Sequence, residues 1–580
     1  MTPRRFLYIF LGVITVLRLI YITQVALFPD ETYYFMWSQR MDFCYYSKGP
    51  GVAATIWLGT HLFGANEFGV RFFSPLLALG TSLLMYSFAR RLYGESVALW
   101  TIIVLNCIPM FQVGGLIMTI DPLSIFFWMA ALYTFWLALE KSPDFSKFWP
   151  ATGALMGLGF LCKYTNAMQL LSIVLLLTFT PKYRKELGRR GFWIMLGVFL
   201  LFTLPPVIWN SQHEWITIAH LTVRGHLEKA FKLDFSVFLK YIGLHFMVFS
   251  PLIFGAMLAA LWWGIDKGRV HFKPRFLLWF AAPLFVLYAW VALRGATEPN
   301  WTAPASLSLG LLTVAIWHEM AQQRRRVRIF AVSALALGIL ISVVALDADL
   351  LRVIGIPLSY DSDPGQRMRG LQTTVDAVEN FRKDFEAKSG GPVFLIANSY
   401  GMASEMAFYM HDKRGEAPGH PPVYIPESQN IENQFSFWPR YDEVTDLPEV
   451  ARDYLQGPPE AGEDPRLRED VAKALAALTQ SEKAEPSAIA DAKRTLVHAL
   501  HLAAPKLPLD ESFVEEQGPN LFSGRTALYI TDRSEDRAPS TIQQGFEHSE
   551  MVACFDFKRR GLPLRQIRIF ACRGYRGMPL

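Results

Sequence analysis

Residues 6–34 read FLYIFLGVITVLRLIYITQVALFPDETYY. The stretch from Phe6 to Leu27 holds a single charge, Arg18, and is long enough as a helix to cross a hydrocarbon core of about 30 Å. Two adjacent carboxylates, Asp30 and Glu31, follow it at once and lie where they face water. Arg4 and Arg5 precede the segment, no small-residue cleavage signature follows it, and more apolar runs come after, so the sequence predicts a retained helix rather than a removed signal peptide. The composition agrees: 52% hydrophobic and 14% aromatic residues against 18% charged describe a polytopic membrane protein, not a soluble enzyme.

Further apolar runs near 68–89, 95–112, 121–139, 149–162, 166–180, 191–209, 236–263, 276–293, 301–317 and 329–346 predict about eleven spans, with a break near Lys163. The basic residues test this count. Arg4/Arg5, Arg90/Arg91, Lys141/Lys147, the 182–190 cluster, the 267–275 cluster and Arg324–Arg328 all fall in alternate connections, which the positive-inside rule places in the cytoplasm. The other connections, carrying Asp30, Lys48, Asp121, Lys163, residues 210–235 and Glu298, then face outward together with everything after about residue 347. The formal charge of +5 is explained by this topology and calls for no nucleic-acid partner.

Residues 1–346 thus read as a transmembrane domain and 347–580 as an extracytoplasmic soluble one. Alternating segments at 393–396, 527–530 and 567–570 predict strands, and 370–387 and 400–410 predict helices, giving a small α/β or α+β domain. A Pro-, Ala- and Glu-rich stretch at about 441–520 reads as a helical insertion. Of the five cysteines, Cys554 and Cys572 form a disulfide only if their strands bring them into register.

The outward loops carry the chemistry. Asp30-Glu31-Thr32-Tyr33-Tyr34, Tyr46-Ser47-Lys48-Gly49-Pro50 and Glu67-Phe68-Gly69-Val70-Arg71 resemble the family 39/83 membrane glycosyltransferases, relatives of protein O-mannosyltransferases and of the aminoarabinose transferase that modifies lipid A. So do Met118 to Leu123, Gly159 to Thr165, Trp209-Asn210 with His213 and Trp215, and Pro299-Asn300-Trp301. Tail motifs including Arg369-Gly370, Asn398-Ser399-Tyr400 and Asn433-Gln434-Phe435 extend the resemblance over about 1–440 and 521–580.

The resemblance implies the GT-C fold, a bundle of membrane helices with its active site on the outer face, and a sugar donor on a polyprenyl phosphate. Many relatives have Asp-His-Pro-Pro or Glu-Lys-Pro-Pro where this chain has Ser47-Lys48-Gly49-Pro50. The acid that helps hold a metal is missing there, so no cofactor is required and no metal is predicted. His213, Glu214, His220 and His226 match no closed ligand set.

In this reading Asp30 is the general base, taking the proton of an acceptor hydroxyl as its oxygen attacks the anomeric carbon with inversion. Lys48, Arg71, Lys163 and Arg224 are candidates to hold the donor phosphate. Glu31, Tyr34, Tyr46, Asp121, Glu298, Asn300 and Trp301 are candidates for the sugar and acceptor pocket. Structural roles compete with these: acids favour the start of a helix, Asp121-Pro122 is an ordinary helix opening, Arg71 suits a span boundary, and Lys163 suits a pair with Asp121. The expected partners are a polyprenyl-phosphate sugar, membrane lipid, and a lipid A, glycan or protein acceptor at a bacterial inner membrane. A lipid or sugar flippase and a non-catalytic glycan-binding protein are the alternatives, though neither an internal duplication nor broken helices at matching positions are visible.

Overall fold

The computed structural model describes residues 2–577 apart from 227, 229–231, 357, 364, 417–418, 429, 443–446, 458–463, 482–484 and 505–519. It divides into two compact units, Met1–Met368 and Arg369–Leu580. Residues 347–368, read from sequence with the soluble tail, pack with the first unit.

Among the described residues, the regular structure of the first unit is helical. Its helices are α1 (Pro3–Tyr21), α2 (Pro29–Ser38), α3 (Gly51–Phe63), α4 (Glu67–Arg71), α5 (Phe73–Tyr93), α6 (Glu95–Leu105), α7 (Pro109–Gly114), α8 (Ile120–Glu140) and α9 (Phe148–Cys162). Then come α10 (Met168–Thr178), α11 (Arg190–Gln212), α12 (Ile216–Arg224), α13 (Phe235–Val248), α14 (Pro251–Val270), α15 (Phe272–Leu293), α16 (Ala303–Gln323), α17 (Arg325–Leu346) and the short α18 (Asp349–Val353).

Among the described residues, five stretches are long and apolar enough to cross a membrane: Glu67–Tyr93, α8, α11, α15 and α17. The pair α13 and α14, bent by 114°, makes a sixth if it is one span. Several runs that look continuous in sequence are broken. The 95–112 run ends its first helix at Leu105 and restarts at Pro109, and 236–263 breaks at Ser250, whose φ of 69° precedes Pro251. The 149–180 run parts at Lys163, as its sequence predicts, and α1 stops at Tyr21, short of Leu27.

The surface explains the composition. In α17, Ile329, Val332 and Leu340 are more than half exposed, as are Trp193 and Leu201 in α11 and Val13 and Leu17 in α1. So much contiguous apolar surface is unfavourable in water and neutral in lipid. Inside the bundle, small residues set the packing. Gly153 and Gly157 on α9 face α11 so closely that an added Cβ would lie 2.2 Å from the Met195 carbonyl oxygen and 2.5 Å from Phe202 Cβ. This four-residue spacing of glycines lets two membrane helices approach with backbones in contact.

The second unit holds a four-stranded sheet in the order β1-β2-β4-β3, with β1 (Phe394–Ala397), β2 (Ala527–Thr531), β3 (Phe546–Arg559) and β4 (Leu562–Tyr575). β1 pairs parallel with β2, and β2–β4 and β4–β3 are antiparallel. Phe394, Tyr441, Phe522, Phe570 and Tyr575 form its core, together with Val450, Val471 and Leu500 from the helices of the 441–520 region. That stretch therefore helps build the domain's core. Cys572 lies opposite Ser549 and Cys554 opposite Arg568, so the two cysteines are out of register and both are free.

Replacing Gly153 with Val should separate α9 from α11. Overpacking of this kind costs about 1–3 kcal/mol. The apparent melting temperature in detergent is expected to fall by several degrees, whereas Gly197→Val on α11, where no heavy atom lies within 4 Å, leaves it nearly unchanged.

Candidate functional site

The site begins where the chain leaves α1. Pro29 opens α2, so Asp30 and Glu31 occupy its first turn, where the helix dipole favours carboxylates. Glu31 turns inward. Its two oxygens accept from Arg71 Nε at 2.8 Å and Nη2 at 2.5 Å, from the Phe28 amide at 2.8 Å and from the Met118 amide at 2.8 Å. Arg71 spends its remaining donors on the carbonyls of Ile22, Val25 and Ala26 at 3.2, 2.7 and 2.8 Å. The side chains of Arg71 and Glu31 are 1% and 0% exposed. Arg71, read as a phosphate ligand, and Glu31, read as lining the pocket, are thus used inside a buried brace that ties three segments together.

Successive helix residues point about 100° apart, so burying Glu31 turns Asp30 elsewhere. Asp30 is half-buried. Burial raises its carboxyl above the ordinary range; Lys48, Arg224 and Arg367 oppose that rise, and Asp121 adds to it. Four separate elements therefore bring charge to Asp30.

Lys48 is carried by the loop between α2 and α3. Tyr45 fastens that loop by stacking on Trp37, with ring centroids 4.5 Å apart and planes 17° apart, and its amide donates to the Lys48 carbonyl at 2.9 Å. On the far side, Gly49 and Gly51 press on the end of α9: a Cβ on Gly49 would sit 2.3 Å from the Leu161 carbonyl oxygen, and one on Gly51 would sit 2.5 Å from Cys162 Sγ. Gly49 thus has a packing reason where the relatives' pattern carries proline. Burial first, then Arg224 and Lys163, bring the Lys48 ammonium down to about 7.

Lys163 sits just past α9, two residues beyond Leu161. Its Nζ reaches Asp121 Oδ1 at 2.6 Å, and Asn300 Nδ2 donates to Asp121 Oδ2 at 2.7 Å. Asp121, Lys163 and Asn300 thus form a chain of contacts from α8, the α9–α10 break and the turn before α16. Ser124 and Asn166 lock that break by Oγ to Oδ1 at 2.6 Å and Nδ2 to the Ser124 carbonyl at 3.1 Å.

Arg224 ends α12. The chain reaches α12 through two consecutive left-handed residues, Glu214 and Trp215, at φ 52° and 58°. Thr217 then ties α12 to the Lys48 loop through its Oγ1, which donates to the Tyr45 carbonyl at 3.3 Å. His220 lies against the Tyr46 ring at 4.6 Å; burial, Lys48 and Arg224 hold its imidazole down to about 4, so it is neutral at pH 7. Trp301 packs on Tyr288 at 5.0 Å, and the Arg224 guanidinium lies 5.8 Å from its ring.

Of the remaining sequence candidates, Tyr34 is buried edge-on against Trp37 and Glu298 is exposed ahead of Pro299. His213 bonds the Trp209 carbonyl, and among the described residues no three His, Cys, Asp or Glu side chains gather into a metal-binding group. Arg367 was missed. It lies past the last long helix, held there by a buried knot in which Arg352 pairs with Asp349 at 2.6 Å and Asp363 at 3.0 Å. No local pattern marks it.

The comparisons agree with this architecture. A family model described as dolichyl-phosphate-mannose-protein mannosyltransferase matches residues 47–209, which include Lys48, Asp121 and Lys163. The lipid A galacturonosyltransferase RgtD of Rhizobium johnstonii is 29% identical over 321 residues, 55% of this chain and 66% of that protein. The undecaprenyl phosphate-alpha-4-amino-4-deoxy-L-arabinose arabinosyl transferase 2 of Pseudomonas fluorescens is 27% identical over 353 residues, 56% of this chain and 58% of its own length. The chain thus spans less than two thirds of either relative. ArnT from Cupriavidus metallidurans matches in its apo state with a TM-score of 0.53 at 14% identity, covering 98% of both chains. Its form bound to undecaprenyl phosphate gives 0.50 at 16%, covering 97% of this chain and 98% of that one.

The fold is that of the GT-C membrane glycosyltransferases. Among the described residues this chain has five stretches able to cross a membrane, and over about half of its length it is similar to lipid A and aminoarabinose transferases.

Removing one partner of a buried ion pair strands the other, at about 3–5 kcal/mol. Arg71→Met is accordingly expected to lower the apparent melting temperature sharply and to cost turnover along with it. If Arg71 instead held only the donor phosphate, the variant would melt like the wild type and lose donor affinity alone.

Proposed function

We propose that this chain transfers a sugar from a polyprenyl-phosphate donor to lipid A by a single inverting displacement at the outer face of the membrane. Asp30, set on a braced helix start and half-buried among cations, is the observation that carries the reading. Its carboxylate accepts the proton of the acceptor hydroxyl while the oxygen attacks the anomeric carbon and the bond to the lipid phosphate breaks. Lys48 and Arg224 neutralise the departing phosphate, so it leaves without being protonated. Lys163, already bound to Asp121, positions that carboxylate, and Asn300 with Trp301 shapes the sugar side. The N-terminus lies in the cytoplasm and the Arg369–Leu580 unit outside it.

A hexuronic acid is the preferred sugar, in line with the galacturonosyl transfer to lipid A named for RgtD.

Transfer to lipid A in vitro from undecaprenyl-phosphate-linked hexuronate, neutral hexose and aminoarabinose tests this. The hexuronate should be used best, and Asp30→Asn should cut turnover by about 100- to 10,000-fold, the usual range for a lost general base. Full turnover by Asp30→Asn contradicts the mechanism, and equal use of all three donors contradicts the sugar assignment.

The pH profile gives a second check. Asp30, raised by burial, loses its basic form as the pH falls; Lys48, lowered to about 7, loses its charge as the pH rises through it. The profile of kcat/KM is thus a bell whose alkaline limb lies near 7. Lys48→Arg, with a guanidinium that stays charged, should move that limb upward and leave the acid limb in place.

A further inference from the structure

Below the site lies a cation that no acid neutralises. Arg18, in the last turn of α1, is 5% exposed within the helix bundle. Its Nη2 donates to Asn106 Oδ1 at 3.1 Å and Gln112 Oε1 at 2.9 Å, both neutral amides. Its Nε is buried without a hydrogen-bond partner among the described residues, and none of their carboxylates lies within the 4.0 Å of an ion pair. A buried charge is ordinarily paired, and a buried N–H ordinarily bonded; this guanidinium meets neither condition.

The surroundings are shaped for something small. Arg18 lines a cavity of about 40 Å³ together with Thr81, Ser82, Asn106 and Gly115. Gly115 lies flat on the guanidinium: a Cβ there would come within 3.1 Å of Cζ and 3.2 Å of Nε. Ser82 gives its hydroxyl hydrogen to the Ala78 carbonyl at 2.9 Å, and Leu105, Phe111 and Ile125 close the rest of the space, so Arg18 Nε is the donor left facing it. A single water needs about 10–15 Å³ of such space, so there is room for a few waters or one small ion and not for a sulfate or phosphate.

The geometry points to a monovalent-anion site in which chloride is held by Arg18 Nε inside the membrane bundle. A water bonded there satisfies the N–H and leaves the positive charge uncompensated in a low dielectric. Chloride does both, accepting from Nε and balancing the guanidinium charge. The anion also fastens α1 to the chain at Gln112–Gly115, three residues ahead of Met118, whose amide holds Glu31.

The test uses the full chain in detergent. Protein moved from gluconate to saturating chloride at equal ionic strength is expected to melt about 2–4 °C higher, with bromide reproducing the rise and Arg18→Gln abolishing it. Crystals of the wild-type chain grown in bromide should show an anomalous peak within hydrogen-bond reach of Arg18 Nε. This map stands on its own if Arg18→Gln fails to accumulate. No peak at that position, with identical melting in gluconate and chloride, means that the site holds only water and overturns the proposal.

Discussion

The architecture of the site rests on the Glu31–Arg71 pair. A bidentate carboxylate–guanidinium contact this deeply buried is costly to desolvate and contributes only because every remaining donor and acceptor is used. Here the guanidinium closes on three carbonyls of the chain leaving α1, while the carboxylate closes on two amides, one of them Met118 just before α8. Three segments distant in sequence are thereby fixed to one point. Asp30, the next residue back from Glu31, inherits its position from that point.

Around Asp30 the chain assembles charge from elements that share no sequence proximity. The Lys48 loop is clamped between Trp37 and the end of α9, Lys163 is held by Asp121, and Arg224 arrives on a helix entered through two left-handed residues. Apart from the Lys163–Asp121 pair, each anchor is a backbone or packing contact rather than a charge–charge contact, so the cations stay near one another without an acid for each. That surplus is what an anionic lipid-linked donor would meet.

Much of this was legible in the sequence. Apolar runs and alternating basic connections marked the membrane bundle, and the strands at 394–397, 527–531 and 562–575 followed from alternation. Asp30, Lys48, Asp121 and Lys163 stood out as charges at span boundaries. Less legible were the breaks inside apolar runs, because the interruption at Leu105–Pro109 and the bend at Ser250 depend on tertiary packing that hydropathy does not register. Sequence also failed to separate roles among the charges. Arg71 and Lys48 look alike as outward cations, yet one is consumed by a brace and the other is half-buried beside Asp30, a difference set by partners up to 49 residues away. Arg367 and the unpaired Arg18 belong to the same class. The long strand at 546–559 escaped because its burial pattern is largely exposed, so alternation there is weak.

The most direct measurement is a map of this chain bound to undecaprenyl phosphate. The account predicts phosphate density between Lys48 and Arg224, with the Asp30 carboxylate facing it and the Glu31–Arg71 pair intact. Phosphate density at Arg71 with that pair broken, or density only at the basic connections near Arg324–Arg328, would contradict it.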